Sequence, residues 1–289
     1  MEAINSNVID YDKQNGTNFV PAHKITAAFE RAKREGRGAL IPYFMCGYPT
    51  AEQSIEIILA AAEGGADIIE LGMPFSDPLA DGATIQHAGH IALERGMTIK
   101  GCLEVSRQVS ARSDVALLLM GYYNPILAYG IERFCAAARA NGVSGLIIPD
   151  LPAEEADILQ DIAYRNGLSL VFLIPPTTPD ERIVDVAKRT AAGPGGFIYC
   201  ISLSGVTGSR NELAPHLHSF IQRVRRFTSD KHIPLAVGFG LSKPEHIAAV
   251  TTLVEGAVVG SALVNLIDQN KESEQVEAVR TYIRILRGK

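Results

Sequence analysis

The sequence has little of what marks secreted, membrane-spanning or nucleic-acid-binding chains. Its 289 residues hold four cysteines, Cys46, Cys102, Cys135 and Cys200, far apart and without a CxxC spacing. Such spacing excludes a disulfide scaffold, and with three of the four thiols in apolar segments it fits a reducing cytoplasm. No apolar run approaches the ~20 residues that cross a bilayer. The longest, such as Leu168 to Pro176, have the length of buried strands. Positive charge is not in excess, since 27 Lys and Arg stand against 32 Asp and Glu for a net charge of -5. The arginines are scattered, with Arg225-Arg226 the only adjacent pair, so nothing draws the chain to nucleic acid or acidic membrane, and a small metabolite is the expected partner. The N-terminus lacks the basic start and apolar stretch of a signal peptide, so residues 1–23 read as a flexible tail. No GxGxxG or GxxxxGK follows an apolar run, which argues against a nucleotide cofactor.

What is present is a repeating alternation. From Ala39 onward, short runs rich in Val, Ile and Leu alternate with amphipathic stretches, the pattern of β-α units around a parallel sheet. The eight runs begin at Ala39, Asp67, Val115, Gly145, Leu168, Gly196, Pro234 and Gly256. Most are apolar on both alternations, so each strand is expected to be covered on both faces. Ile55, Ile58, Leu59 and Ala62 share one helical face, as do Phe220, Val224 and Phe227. Ser242 is expected to cap a helix that carries Pro244 and Glu245 in its first turn. Before the first strand, Ile25, Ala28, Phe29 and Ala32 make an extra helix placed to plug the ring's bottom. Eight units closing on themselves predict a single (β/α)8 TIM barrel domain over residues 24–289, with its active site at the C-terminal strand ends.

The second strand ends in Glu70, and a carboxylate inside an apolar strand is costly unless it is used or paired. Counting by two from Ile68 turns Glu70 into the barrel mouth. Two readings stay open, a functional acid or base and a salt bridge at the strand's wet end. Asp81 lies eleven positions on, in a loop studded with Pro74, Pro78 and Gly82 that is long for a βα connection. Alone it reads equally as a turn aspartate. Together, two carboxylates from one strand end can divide acid and base duties once their environments separate their pKa values. Asp77 reads as a turn former or contact residue.

Across the ring, glycine-rich turns follow the sixth, seventh and eighth runs: Gly205 to Gly208, Gly238-Phe239-Gly240 and Gly260-Ser261. Backbone amides at such turns cradle phosphate, with Thr207 and Ser261 as hydroxyl donors. A Schiff-base mechanism needs a lysine at a strand end, and Lys100, Lys188, Lys231 and Lys243 all fall elsewhere. Metal-assisted cleavage needs converging imidazoles. The close pairs His87 with His90 and His216 with His218 read as exposed helix residues.

The stretch from Glu70 to Gln86 (ELGMPFSDPLADGATIQ) and Ser204-Gly-Val-Thr-Gly closely resemble the tryptophan synthase α-subunit family. The likeness runs in order from about Lys24 to the C-terminus through Tyr-Tyr-Asn-Pro from Tyr122, Pro-Asp-Leu-Pro from Pro149, Gly-Phe-Gly from Gly238 and Gly-Ser-Ala from Gly260. It implies retro-aldol cleavage of indole-3-glycerol phosphate to indole and glyceraldehyde 3-phosphate, with no metal or organic cofactor. By this resemblance Glu70 takes the proton of the glycerol hydroxyl next to the ring and helps protonate the released indole carbon, while Asp81 accepts from the indole N–H. Tyr43, Met120, Tyr122, Ile147, Leu173, Tyr199 and Phe239 match the indole pocket, with simple barrel packing as the other reading. Thr207 and Gly208 match a loop that folds over substrate, and Gly240, Gly260 and Ser261 match the phosphate site. The implied partner is a β subunit that joins indole to serine with pyridoxal phosphate, in an α2β2 tetramer. Asp77, Pro78, Asn124 and Pro152 match the contact with it.

Three departures from the family pattern stand out: Leu203 where some members carry arginine, Tyr43 where others have phenylalanine, and a tail before Lys24 longer than the family requires. Two other readings remain, a catalytically idle barrel that activates a pyridoxal enzyme and a different phosphate-gripping barrel of the same pathway.

Overall fold

The computed structural model describes residues 22–201, 215–238 and 240–288. Every apolar run becomes a strand: β1 (Ala39–Met45), β2 (Ile68–Gly72), β3 (Ala116–Met120), β4 (Val143–Ile147), β5 (Ser169–Val171), β6 (Leu173–Ile174), β7 (Ile198–Ile201), β8 (Leu235–Gly238) and β9 (Gly256–Val259). All pairings are parallel, in the order β5-β4-β3-β2-β1-β9-β8-β7-β6. Only Phe172 separates β5 from β6; the first pairs with β4 and the second with β7. They are two halves of one strand, so the nine segments make the expected ring of eight. A sheared barrel produces this handover, because a tilted strand meets one neighbour low and the other high. β4 starts two residues earlier than its apolar run, with a register shift that leaves Ser144 unmatched against β3.

Both faces of the strands are buried, as continuous apolar runs require, and two cores result. The outer core lies between strands and helices and takes in Ile55, Ile58, Leu59, Phe220 and Val224, with Ala62 and Phe227 packed against it. The inner core fills the barrel with Ile41, Ile68, Leu118, Ile147, Val171, Phe197 and Val258, together with Ile25, Ala28, Phe29 and Ala32 of the helix His23–Arg34. Phe29 and Phe197 meet ring to ring with centroids 5.4 Å apart. The extra helix therefore seals the N-terminal end of the barrel. Beside it, buried Asp67 accepts from Arg31 Nη2 at 3.1 Å, from Arg37 Nη1 and Nη2 at 2.5 and 2.9 Å, and from the Leu40 amide at 2.9 Å.

One capping expectation is corrected. The helix Pro244–Thr251 begins at an N-cap of Lys243, with proline in the first helical position and no side-chain cap bond. Proline suits that position because it has no N–H to leave unpaired. Ser242 instead donates its amide to His246 Nδ1 at 3.3 Å, and its carbonyl accepts from the Tyr282 hydroxyl at 2.6 Å. The tail assigned to residues 1–23 falls almost wholly outside the described residues.

Candidate active site

Glu70 pairs in register with Tyr43 on β1 and Leu118 on β3. Its parity is that of Ile68 and Leu118, both in the inner core, so its side chain enters the barrel. It is 1 % exposed, and its Oε1 has no hydrogen-bond partner. A buried carboxyl without a counter-charge holds its proton, and burial lifts Glu70 from 4.5 to about 8. The salt-bridge reading of Glu70 finds no partner among the described residues, whereas an orphaned carboxyl in an enclosed mouth is what proton transfer to a ligand requires.

Two phenols wall this carboxyl, and two glycines make room for them. Tyr43 and Tyr199 both feel the charge of Glu70, and burial holds both hydroxyls well above the usual phenol range. A Cβ on Gly72 would lie 2.0 Å from the Tyr43 hydroxyl, and one on Gly238 would lie 2.2 Å from that of Tyr199. Neither position tolerates a side chain while the rings stay where they are.

Asp81 closes the mouth from the loop after β2. The Tyr122 hydroxyl accepts from the Ala80 amide at 2.9 Å and donates to the Asp81 carboxylate. Partial burial raises Asp81 from 3.8 to about 6, and the Tyr122 hydrogen bond opposes that rise. Phe75 packs on Tyr122 with ring centroids 5.4 Å apart. Asp150, after β4, accepts from the Tyr123 amide at 2.9 Å and so braces the segment that carries Tyr122. Near neutral pH the two carboxyls thus differ: Glu70 keeps its proton and Asp81 is ionised, the separation that acid and base roles need.

Of the other expected pocket residues, Met120, Ile147, Leu173 and Tyr199 lie at or near the C-terminal ends of β3, β4, β6 and β7, and all four belong to or pack on the inner core. Gly238 ends β8, next to β9 in the sheet. Gly240 has φ +67°, a left-handed conformation that glycine adopts without strain. Gly260 is the N-cap of the helix Ser261–Gln269, where unpaired amides favour an anion. Two of the three glycine corners are therefore adjacent. The third, with Thr207 and Gly208, lies outside the described residues, as do Leu203 and Phe239. Asp77 and Asn124 are exposed, as is Pro152, while Pro78 is half-buried.

Sequence reading missed Asp150, the hydroxyl link from Tyr122 to Asp81, and the space-making role of Gly72. Asp150 stood in the Pro-Asp-Leu-Pro motif without a role assigned to it, and Gly72 left a signal as a glycine two residues after Glu70 on the same face. A cleft of about 1290 Å³, lined by Phe29, Lys33, Gly196, Arg225 and Glu255 among others, opens at the opposite end of the barrel, around the plugging helix. That end of a barrel serves stability rather than chemistry.

Glu70 also imposes a pH dependence on folding. Between 4.5 and about 8 the folded chain holds this proton more tightly than the unfolded chain does. Stability from this group is therefore fully present below 4.5 and is lost as pH rises through about 8. Glu70→Gln is expected to flatten the fall in melting temperature from about pH 5 to about pH 8. Parallel melting curves for the two proteins across that range would contradict the buried carboxyl.

The chain matches the family described as tryptophan synthase alpha chain over residues 29–287. The tryptophan synthase alpha chain of Chloroflexus aggregans is 49% identical over 265 residues, covering 91% of this chain and 97% of that one. The tryptophan synthase of Saccharomyces cerevisiae is 42% identical over 271 residues, which are 92% of this chain and 37% of that longer protein. Among solved structures, one described as the tryptophan synthase a2b2 complex from Pyrococcus furiosus superposes with a TM-score of 0.81 at 38% identity, covering 88% of this chain and 99% of that one. Tryptophan synthase subunit alpha from Legionella pneumophila superposes with a TM-score of 0.82 at 32% identity, covering 92% of this chain. Matched along nearly its whole folded length in sequence and in structure, this chain belongs to the tryptophan synthase alpha chain family.

Proposed function

We propose that this chain cleaves indole-3-glycerol phosphate to indole and glyceraldehyde 3-phosphate, as a carbon–carbon lyase of L-tryptophan biosynthesis. The observation that carries the reading is Glu70 inside the barrel mouth, its Oε1 without a hydrogen-bond partner and its carboxyl poised at about 8, with ionised Asp81 sharing Tyr43 as a neighbour. Protonated Glu70 delivers its proton to the ring carbon that bears the glycerol chain. The resulting carboxylate takes the proton of the adjacent hydroxyl as the carbon–carbon bond breaks. Its electron pair restores the aromatic ring, the aldehyde forms, and Glu70 ends as it began. Asp81 accepts from the indole N–H and stabilises the positive character that builds on the ring, chiefly in the transition state.

Tyr43, Met120, Tyr122, Ile147, Leu173, Tyr199 and Phe239 wall the indole. Gly240, Gly260 and Ser261 hold the phosphate, with Thr207 and Gly208 folding over the ligand to exclude water. The partner is a tryptophan synthase β subunit, met through Asp77, Pro78, Asn124 and Pro152. Leu79, 93 % exposed beside Pro78, and Leu127, 47 % exposed on the helix Tyr123–Tyr129 that carries Asn124, supply apolar surface for that contact. Four buried, unbridged cysteines suit a cytoplasmic setting. No helix among the described residues is long and apolar enough to cross a membrane.

The test is to supply indole-3-glycerol phosphate to the chain alone and with a β subunit, and to assay both products. Equal release of indole and glyceraldehyde 3-phosphate by the chain alone, faster with the β subunit, is expected. Absence of both products in either arm would leave only an activating role.

A further inference from the structure

The Tyr43 hydroxyl is a buried donor without a good acceptor. Tyr43 is 6 % exposed, and among the described residues its only hydrogen-bond partner is the Met45 thioether, with Oη 3.9 Å from Sδ. A thioether is a weak acceptor, and a buried hydroxyl left without a better one loses what it would gain in water. Packing alone does not account for the group, because a bare phenyl ring fills the same volume over Gly72 without that cost. Gly72 nevertheless gives up its side chain where this oxygen sits, 2.0 Å from the position a Cβ would take.

The neighbours of Tyr43 say what the acceptor is. β1 lies between β9 and β2 in the sheet. On the β9 side, a Cβ on Gly260 would lie 3.7 Å from the Tyr43 Cβ, so the ring starts beside the anion-binding corner. On the β2 side, Tyr43 is the registered neighbour of Glu70, and its hydroxyl leans over Gly72, two residues farther along the same face. A ligand with its anion at Gly260 and its reacting atoms at Glu70 must cross Tyr43, and it reaches the hydroxyl near its reacting end. There the crossing segment is a short chain bearing hydroxyl groups.

We propose that Tyr43 is a specificity-determining residue whose phenolic O–H donates to a hydroxyl oxygen of the substrate's glycerol chain, selecting oxygenated chains over plain alkyl ones. The inference rests on the lyase reading for the ligand's identity. It gives Gly72 a functional task, which is to seat that hydroxyl.

Binding measured without turnover tests it. In a Glu70→Gln background, Tyr43→Phe is compared with the intact tyrosine for two ligands: indole-3-glycerol phosphate and an indolylpropyl phosphate that lacks both chain hydroxyls. The expected result is a loss of about 3- to 10-fold in affinity for the first, as one neutral hydrogen bond supplies, and unchanged affinity for the second. The second ligand reports any general damage to the pocket. Equal weakening of both ligands, or no weakening of either, overturns the inference. Normal binding of indole-3-glycerol phosphate with no indole release from the unmutated chain sinks the lyase and leaves the Tyr43 contact to be judged by the same comparison. A chain with Tyr43 intact that binds the analogue but not indole-3-glycerol phosphate overturns both.

Discussion

Replacing Glu70 by glutamine is expected to lower kcat for indole release by about 10²-fold or more while leaving phosphate-dependent binding in place. Glutamine keeps the shape of the side chain and its place on β2 but cannot give up and retake a proton. The proposed reaction needs both events at one atom pair, so the loss falls on the chemical step. Binding is expected to survive because the proposed anion corner at Gly240 and Gly260 follows other strands. Asp81→Asn separates the second role: an uncharged amide still accepts from the indole N–H but no longer offsets positive charge on the ring. A Glu70→Gln chain that released indole at the normal rate would remove this residue from the mechanism.

The largest expected loss of stability lies at the other end of the barrel. Asp67 is 1 % exposed and carries two guanidinium groups and one backbone amide. Asp67→Ala takes the acceptor from the Leu40 amide and leaves Arg37, with a side chain 19% exposed, only Glu35 and the Gly38 carbonyl. Removing one member of a buried ion pair costs about 3–5 kcal/mol, because the other charge stays buried and unpaired. Arg37 keeps its pair with Glu35, and Arg31, 46% exposed, recovers water, which points to the low end, about 3 kcal/mol, or a fall in melting temperature of roughly 5 °C. Asp67→Asn keeps an acceptor for the Leu40 amide and is expected to fall between the two. Because the pair ties the plugging helix to β2 far from the mouth, turnover per folded molecule at low temperature is expected to be unchanged. A melting temperature that does not move in Asp67→Ala would show that the cluster contributes no net stability.

These two sites differ in how well the sequence announces them. Glu70 is legible because a strand has a period of two: once Ile68 is core, Glu70 is inside the barrel, and a carboxylate there is an anomaly. Asp67 gives no such signal, since its partners lie 30 and 36 residues back and nothing local marks the pairing. The same limit explains the rest. Apolar period locates every strand and the plugging helix, because burial on a face is a property of one segment. Register is a property of two. That Tyr43 faces Glu70, that its hydroxyl rests over Gly72, and that β5 hands over to β6 at Phe172 all depend on how the ring shears. Tyr122 was expected at the pocket through the resemblance alone, and its hydroxyl bond to Asp81 joins segments that follow different strands and needed the fold to show it. At Lys243, the serine one residue upstream was the stronger capping residue by type, and the backbone chose the position that lets Pro244 open the helix.

Titration of the Glu70 side-chain carboxyl in the folded, ligand-free chain, followed by carbon NMR and assigned by loss of the signal in Glu70→Gln, probes the catalytic premise most directly. The account predicts a midpoint of about 8. A midpoint near the ordinary 4.5 would mean that the group is solvated or paired and could not hold the proton on which the proposed cleavage begins.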